Sequence, residues 1–266
     1  MKFSIITISR NQGMYIKKCI DSVAEQLHNS YEHIIIDANS DDNTHEILKN
    51  YNNNNLIFKI GKDKGPADGL NKGCDTAKGE IYHILNSDDY LLPGALEKIE
   101  AEFDKNTELQ VVIAPIIIVD GEEKILKKEY PGYAFPRKYV NEVCVIFQQG
   151  VFFKSSLFDK TLGFNLNNDT NWDGELLMDL LKNISMKNIS RIDFETGAFR
   201  IHSNSITGSN SNRIKYKENQ IRLFKKVYGQ NKNINKFRKY MVLLVQIISD
   251  PKWFFYKIKN FLKYKF

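Results

Sequence analysis

The chain has 266 residues, 42% hydrophobic and 26% charged, enough to bury a substantial core in one large domain or a domain with an appendage. Three cysteines, Cys19, Cys74 and Cys144, lie far apart with no CxxC spacing, which excludes a disulfide framework and a cysteine zinc site and favours a reducing cytosol. The net charge of +6 is unevenly spread: Arg213–Phe266 carries 15 Lys or Arg against 2 Asp or Glu, whereas the first 212 residues carry 23 against 30.

The first hundred residues alternate strand and helix signals. "FSIITIS" reads as a buried strand, and "MYIKKCIDSVAEQL" follows with helical spacing at Ile16, Cys19, Ile20, Val23 and Leu27. "YEHIIID" predicts a second strand, closed by the polar turn "ANSDDNT" and the short helix "HEILKNY". "NYNNNN" reads as a polar loop before a third strand, "LIFKIG". Pro66 starts a helix that Gly79 ends; "EIYHILN" is a fourth strand and "PGALEKIEAEF" another helix. Further on, "VVIAPIIIV" and "VIFQQGVFF" read as strands and "GELLMDLLKNI" as a helix.

This alternation implies a parallel sheet with right-handed crossovers, and ligands in such sheets bind beyond the carboxyl ends of the strands. Ser9–Arg10–Asn11, Asp37 and Asp88–Asp89 cluster at those ends. No GxGxxG follows the first strand and no GxxxxGK[ST] occurs, so a nicotinamide or flavin Rossmann domain and a P-loop nucleotidase are not expected. Two adjacent carboxylates at a strand end suit Mg²⁺ or Mn²⁺ shared with substrate phosphates, or else a solvated turn before Pro93.

The ordered blocks "SIITISRN", "IIIDANSDDNT", "DKGPADGLNKG" and "GEIYHILNSDDYLLPGAL", followed by "WDGELLMDLL" and "FRIHSNSITGS", resemble the family 2 glycosyltransferases over roughly residues 1–210. The resemblance implies a GT-A-like fold: an α/β, mostly parallel twisted sheet flanked by helices. It also implies an inverting transferase that moves sugar from a nucleoside-diphosphate sugar, a UDP-sugar first, with Mn²⁺ or Mg²⁺ as cofactor. Thr7 and Ser9 would line the nucleoside pocket, and Asp37 would accept a hydrogen bond from the base. Asp68 and Asn71, three apart on one helical face, would meet the donor. Asp88 would be the main metal ligand, with Asp89 on the metal or the ribose and His202 completing the metal or diphosphate site. Asn86 stands where the family often has aspartate. Arg200 would be a diphosphate or structural contact. Asp173 would be the general base, with Glu175 as the competing assignment and Asp169 as a third candidate.

Residues 211–266 form the expected helical appendage, in which Lys and Arg mix with Phe, Tyr, Trp, Leu and Ile. Such amphipathic basic segments lie in the headgroup region of anionic membranes. A single-strand nucleic-acid patch or a plain packing helix pair at Met241–Ile248 is the alternative; no nucleic-acid partner is expected, because the apolar residues are too many and too aliphatic. "MKFSIITISRN" does not read as a secretory signal, and no run approaches the ~18 apolar residues of a membrane span. The expectation is therefore a cytoplasmic enzyme, peripheral at the inner membrane face, glycosylating a lipid-linked glycan in capsule or O-antigen assembly. The rival functions are a nucleotidyltransferase and a non-catalytic sugar-nucleotide-binding or scaffold protein.

Overall fold

The computed structural model describes residues 1–132, 136–143, 147–168, 170–182, 184–202, 212–229 and 236–264. Cys144, Asp169, residues 203–209 of the "FRIHSNSITGS" block and the expected domain boundary near 210 lie outside them.

The β-branched runs form parallel strands β1 (Phe3–Ser9), β2 (Tyr31–Asp37) and β3 (Leu56–Ile60), with β4 (Ile81–Ile84) on the other side of β1. The connecting helices are α1 (Ile16–Ala24), α2 (Thr44–Asn50) and α3 (Pro66–Cys74). Pro66 sits at the first helical position of α3, where its missing N–H costs nothing. The helix ends at Cys74 rather than running on to Gly79. A Cβ on Gly79 would stand 2.5 Å from Ser4 N, so glycine is required where the chain crosses β1. β1 lies between β2 and β4, and the crossovers depart in opposite directions from it. The crevice beyond the β1 and β4 carboxyl ends is thus the topological switch point.

After β5 (Tyr90–Leu91) and α4 (Ala95–Asp104), the apolar run "VVIAPIIIV" forms two strands, β6 (Val111–Ile113) and β7 (Ile116–Val119), in different sheets. Pro115 has no N–H for a ladder, and the chain bends there. The larger sheet runs β10-β6-β9-β4-β1-β2-β3, with β9 (Val151–Lys154) antiparallel to its neighbours and β10 (Ile189–Arg191) parallel to β6. The smaller sheet runs β5-β11-β7-β8, with β8 at Ile125–Glu129 and β11 at Gly197–Arg200. Between them lie α5 (Pro136–Val140), α6 (Ser155–Phe158) and α7 (Trp172–Lys182).

Alternate residues of β1 feed two cores. Phe3 and Ile5 pack with Val23, Ile99, Phe103 and Phe152, while Ile6 packs with Leu70, Ile84, Val151, Trp172 and Leu176. Each such fully buried side chain contributes about 1.5–3 kcal/mol. The last helices, α8 (Asn212–Tyr228), α9 (Lys236–Ser249) and α10 (Pro251–Tyr264), pack on this body. Leu223 and Phe224 join Val140 and Met178, and Trp253 joins the second core. Asp250 forms a buried bidentate pair with Arg191 at 2.5 and 2.9 Å. Among the described residues no helix is long and apolar enough to cross a membrane.

Candidate active site

The turn after β4 separates the two aspartates. Asp89 is 1% exposed: its Oδ2 accepts from Gln149 Nε2 at 2.6 Å and its Oδ1 from Arg200 N at 2.9 Å. It therefore points inward in this structure, tying this turn to β11 and to the start of β9, rather than toward the crevice where the metal or ribose was expected. Burial first, then the neighbouring Asp88 charge, pushes its carboxyl well above the usual aspartate range, against the bonds from Gln149, Arg200 and Asn86.

Asp88 turns the other way. Its Oδ2 lies 3.0 Å from Nε2 of His202, 114 residues on, and its Oδ1 takes no hydrogen bond from any described residue. The His202 ring leans on Tyr15, with centroids 4.6 Å apart. Arg200, 2% exposed, is sandwiched between Tyr15 and Tyr90. It donates from Nε to the Asp88 carbonyl at 2.9 Å, from Nη1 to the Gly121 carbonyl and from Nη2 to Glu123 Oε1. Arg200 is thus a structural contact that fixes the Asp88 backbone and the β7–β8 hairpin. In sequence it was indistinguishable from a diphosphate ligand.

Four other expected donor residues are committed within the protein. Thr7 is wholly buried and its hydroxyl lies 2.9 Å from His33 Nε2, so it faces the core rather than a pocket. Asp37 is also wholly buried: Oδ1 accepts from Ser40 N and His45 Nε2, each at 2.8 Å, and Oδ2 from Ser40 Oγ at 2.6 Å. It fastens the β2–α2 turn. Asn71 clamps a distant loop, donating to the Phe164 carbonyl at 2.9 Å and accepting from Phe164 N at 2.8 Å. Asp68 pairs with Lys72 at 2.8 Å and accepts from Lys64 N. Ser9, at the switch point, is buried with a hydroxyl that finds no partner.

At α7 the acids of "WDGE" also diverge. Glu175 is 3% exposed; Arg222 grips it at 2.6 and 2.9 Å, Lys226 lies at 3.2 Å, and Asn165 and Asn168 donate to it. Burial would raise its pKa, but the bonds from Arg222, Asn168 and Asn165 and the Arg222 charge draw it down to about 2. Asp173 has no such cation. Burial raises its pKa above the usual aspartate range, against bonds from its own and the Gly174 backbone N–H. It lines a cleft with Gln148, Trp172, Gly174, Ile84 and Phe164, in an apolar wall completed by Val151, Phe153 and leucines of α7. Gly174 admits Tyr139: a Cβ there would meet its hydroxyl at 1.9 Å. The two acids are thereby told apart: Glu175 is a fixed anion in a salt-bridge network, and Asp173 is the one facing the cleft.

Residues 4–162 match the family model described as Glycosyl transferase family 2. The chain belongs to that family. Among its relatives is a chondroitin synthase of Pasteurella multocida, 29% identical over 191 residues, 71% of this chain and 20% of that protein. Another is the GalNAc(5)-diNAcBac-PP-undecaprenol beta-1,3-glucosyltransferase of Campylobacter jejuni, 32% identical over 135 residues, 49% of this chain and 42% of that one. The chain thus spans well under half the length of these relatives. Crystal structures of S. aureus TarS share the fold. The complex with UDP-GlcNAc aligns with a TM-score of 0.67 at 20% identity, covering 94% of this chain and 73% of that one, and the UDP complex aligns at 0.65. The GT-A-like architecture expected from the sequence is the one observed.

Proposed function

We propose that this family 2 chain transfers a sugar, with inversion, from a nucleoside-diphosphate sugar to a hydroxyl of a lipid-linked glycan in cell-surface polysaccharide synthesis. The observation that carries the reading is the Asp88–His202 pair at the switch point of the sheet. The UDP and UDP-GlcNAc complexes of TarS support a UDP-sugar, and the undecaprenol-linked substrate named for the Campylobacter relative supports the acceptor class.

The donor set suits Mn²⁺ or Mg²⁺. A carboxylate with an unengaged oxygen and an adjacent imidazole nitrogen give two protein ligands, and among the described residues no group of three His, Cys, Asp or Glu side chains supplies more. Such cations take their remaining ligands from substrate phosphates and water. When bound, the ion would neutralise charge developing on the departing diphosphate. Asp88 and His202 hold that end of the donor, and Arg200 fixes Asp88 from behind. Asp173 removes the acceptor hydroxyl proton as that oxygen attacks the anomeric carbon. The carbon–oxygen bond to the β-phosphate breaks on the opposite face, the nucleoside diphosphate leaves, and the proton stays on Asp173. Its raised pKa makes it a stronger base than an ordinary aspartate.

The tail supports a membrane-surface location. On α9, Leu243, Gln246 and Ile247 face the body, while Phe237, Met241, Leu244, Val245 and Ile248 are 45–78% exposed at helical spacing. On α10, Phe255, Ile258 and Leu262 repeat the pattern between lysines. A row of exposed apolar side chains flanked by cations fits an anionic headgroup layer.

Thermal shift with UDP, GDP and dTDP, with and without Mn²⁺, tests the donor. Stabilisation by one nucleotide only in the presence of Mn²⁺, lost in Asp88→Ala, is expected. No stabilisation by any nucleotide rejects the reading. Flotation with vesicles containing phosphatidylglycerol tests the tail, and full-length protein that stays at the bottom rejects that part.

A further inference from the structure

Gln148 and Gln149 are adjacent but have opposite fates. Gln149 is buried behind the donor aspartates, with Nε2 on Asp89. Gln148 lines the Asp173 cleft, and both its Oε1 and its Nε2 are buried without a hydrogen-bond partner among the described residues. A buried carboxamide left unpaired at both ends costs about 1–3 kcal/mol per group, so each end calls for a partner. The enclosed part of the cleft is small, about 30 Å³, and its other lining side chains, Asp173 apart, are apolar, among them Ile84, Val151, Phe164 and Trp172.

We propose that Gln148 makes the enzyme selective for a donor whose transferred sugar carries an N-acetyl group. A secondary amide is the complement of a free carboxamide: its N–H donates to Oε1, its carbonyl accepts from Nε2, and its methyl packs on the apolar wall. A hydroxyl at the same carbon cannot fill the apolar wall, and it bridges donor and acceptor only with poor geometry. The position, one residue from the backing of the diphosphate-side aspartates and beside the base, places the contact on the sugar being transferred. The proposal rests on the transferase reading above, and its test separates the two.

The full chain is titrated calorimetrically, in Mn²⁺, with UDP, UDP-GlcNAc, UDP-GalNAc, UDP-glucose and UDP-galactose. One or both N-acetylated donors should bind at least about tenfold more tightly than their plain counterparts, the effect of one satisfied buried amide pair at 1.4 kcal/mol per tenfold. In Gln148→Met, similar in length and without the amide, this preference should vanish while UDP affinity is unchanged. UDP binding with equal affinity for plain and N-acetylated sugars overturns the selectivity but leaves the transferase reading intact, as it would if the group belonged to the acceptor. A preference that survives in Gln148→Met overturns the assignment to this residue. No binding of UDP at all overturns both.

Discussion

The turn after β4 and the start of α7 solve the same problem in different ways. Each places two acids within three residues, turns one into the protein and leaves the other at the proposed site. At the turn, Asp89 is buried without a cation and its carboxyl rises well above its ordinary range; Asp88 is left beside His202. At α7, Glu175 is buried against Arg222 and Lys226 and falls to about 2, while Asp173, without a cation, rises. Each acid pair of this chain thus sets an acid bound inward beside one left at the cleft. Whether a cation is packed against the inward acid decides the direction in which its pKa moves.

That division predicts opposite signatures for the two kinds of acid. The largest effect is expected for Asp88→Ala. Losing the charge that positions the diphosphate end removes several kcal/mol of transition-state stabilisation, on the order of 10³- to 10⁴-fold in turnover, with little change in melting temperature. Asp173→Asn should follow, with a loss of about 10²- to 10⁴-fold in kcat and donor affinity unchanged. Because Asp173 must be ionised to act and its pKa is raised, wild-type kcat/KM should fall on acidification from a higher pH than an ordinary aspartate near 3.8 would give. A rate profile flat down to that range, or a melting-temperature collapse in either variant, breaks the distinction.

Much of this arrangement was legible in the sequence, and the omissions have physical causes. The parallel half was readable because β-branched runs and helical spacing alternate, and because Pro66 marks the start of α3. The break at Pro115 was hidden inside a continuous apolar run. The strands on either side differ only in which sheet pairs with them, and that depends on β9 and β11, far along the chain. Asp88 and Asp89 could not be told apart for the same reason: the groups that bind Asp89 inward come from Gln149 and Arg200. Asp37 looked open because its partner His45 lies eight residues on, across a turn that reads as polar loop. Arg222, the residue that silences Glu175, sits in the basic segment that composition assigned to a surface-binding tail.

That last point makes Glu175→Gln the sharpest test of the inward acids. It leaves Arg222 and Lys226, each 38% exposed, facing a neutral amide, and breaking a partly buried ion-pair network costs on the order of 1–2 kcal/mol. Thermal or urea denaturation should show that loss, with activity of the remaining folded enzyme close to wild type. The pH dependence has a definite sign. The unfolded glutamate, near 4.5, binds its proton before the folded one at about 2, so the contribution is complete above 4.5 and fades as pH falls toward 2. The variant should lack that slope.

Asp89→Asn should give the smallest change, because its scaffold role needs acceptors more than charge. The Asn carbonyl can keep the bond from Arg200 N. Its new amide would oppose Gln149 Nε2, but Gln149 Oε1 has no partner, so turning that carboxamide over restores a donor–acceptor pair. The substitution also removes the repulsion between Asp89 and Asp88 that helps raise the Asp89 pKa. Stability within about 1 kcal/mol of wild type is expected, together with Mn²⁺-dependent nucleotide binding of wild-type strength. A loss of that binding as large as in Asp88→Ala would mean that Asp89 turns outward when the donor arrives. The two acids of the turn would then share the work, and the likeness to the acid pair of α7 would fail.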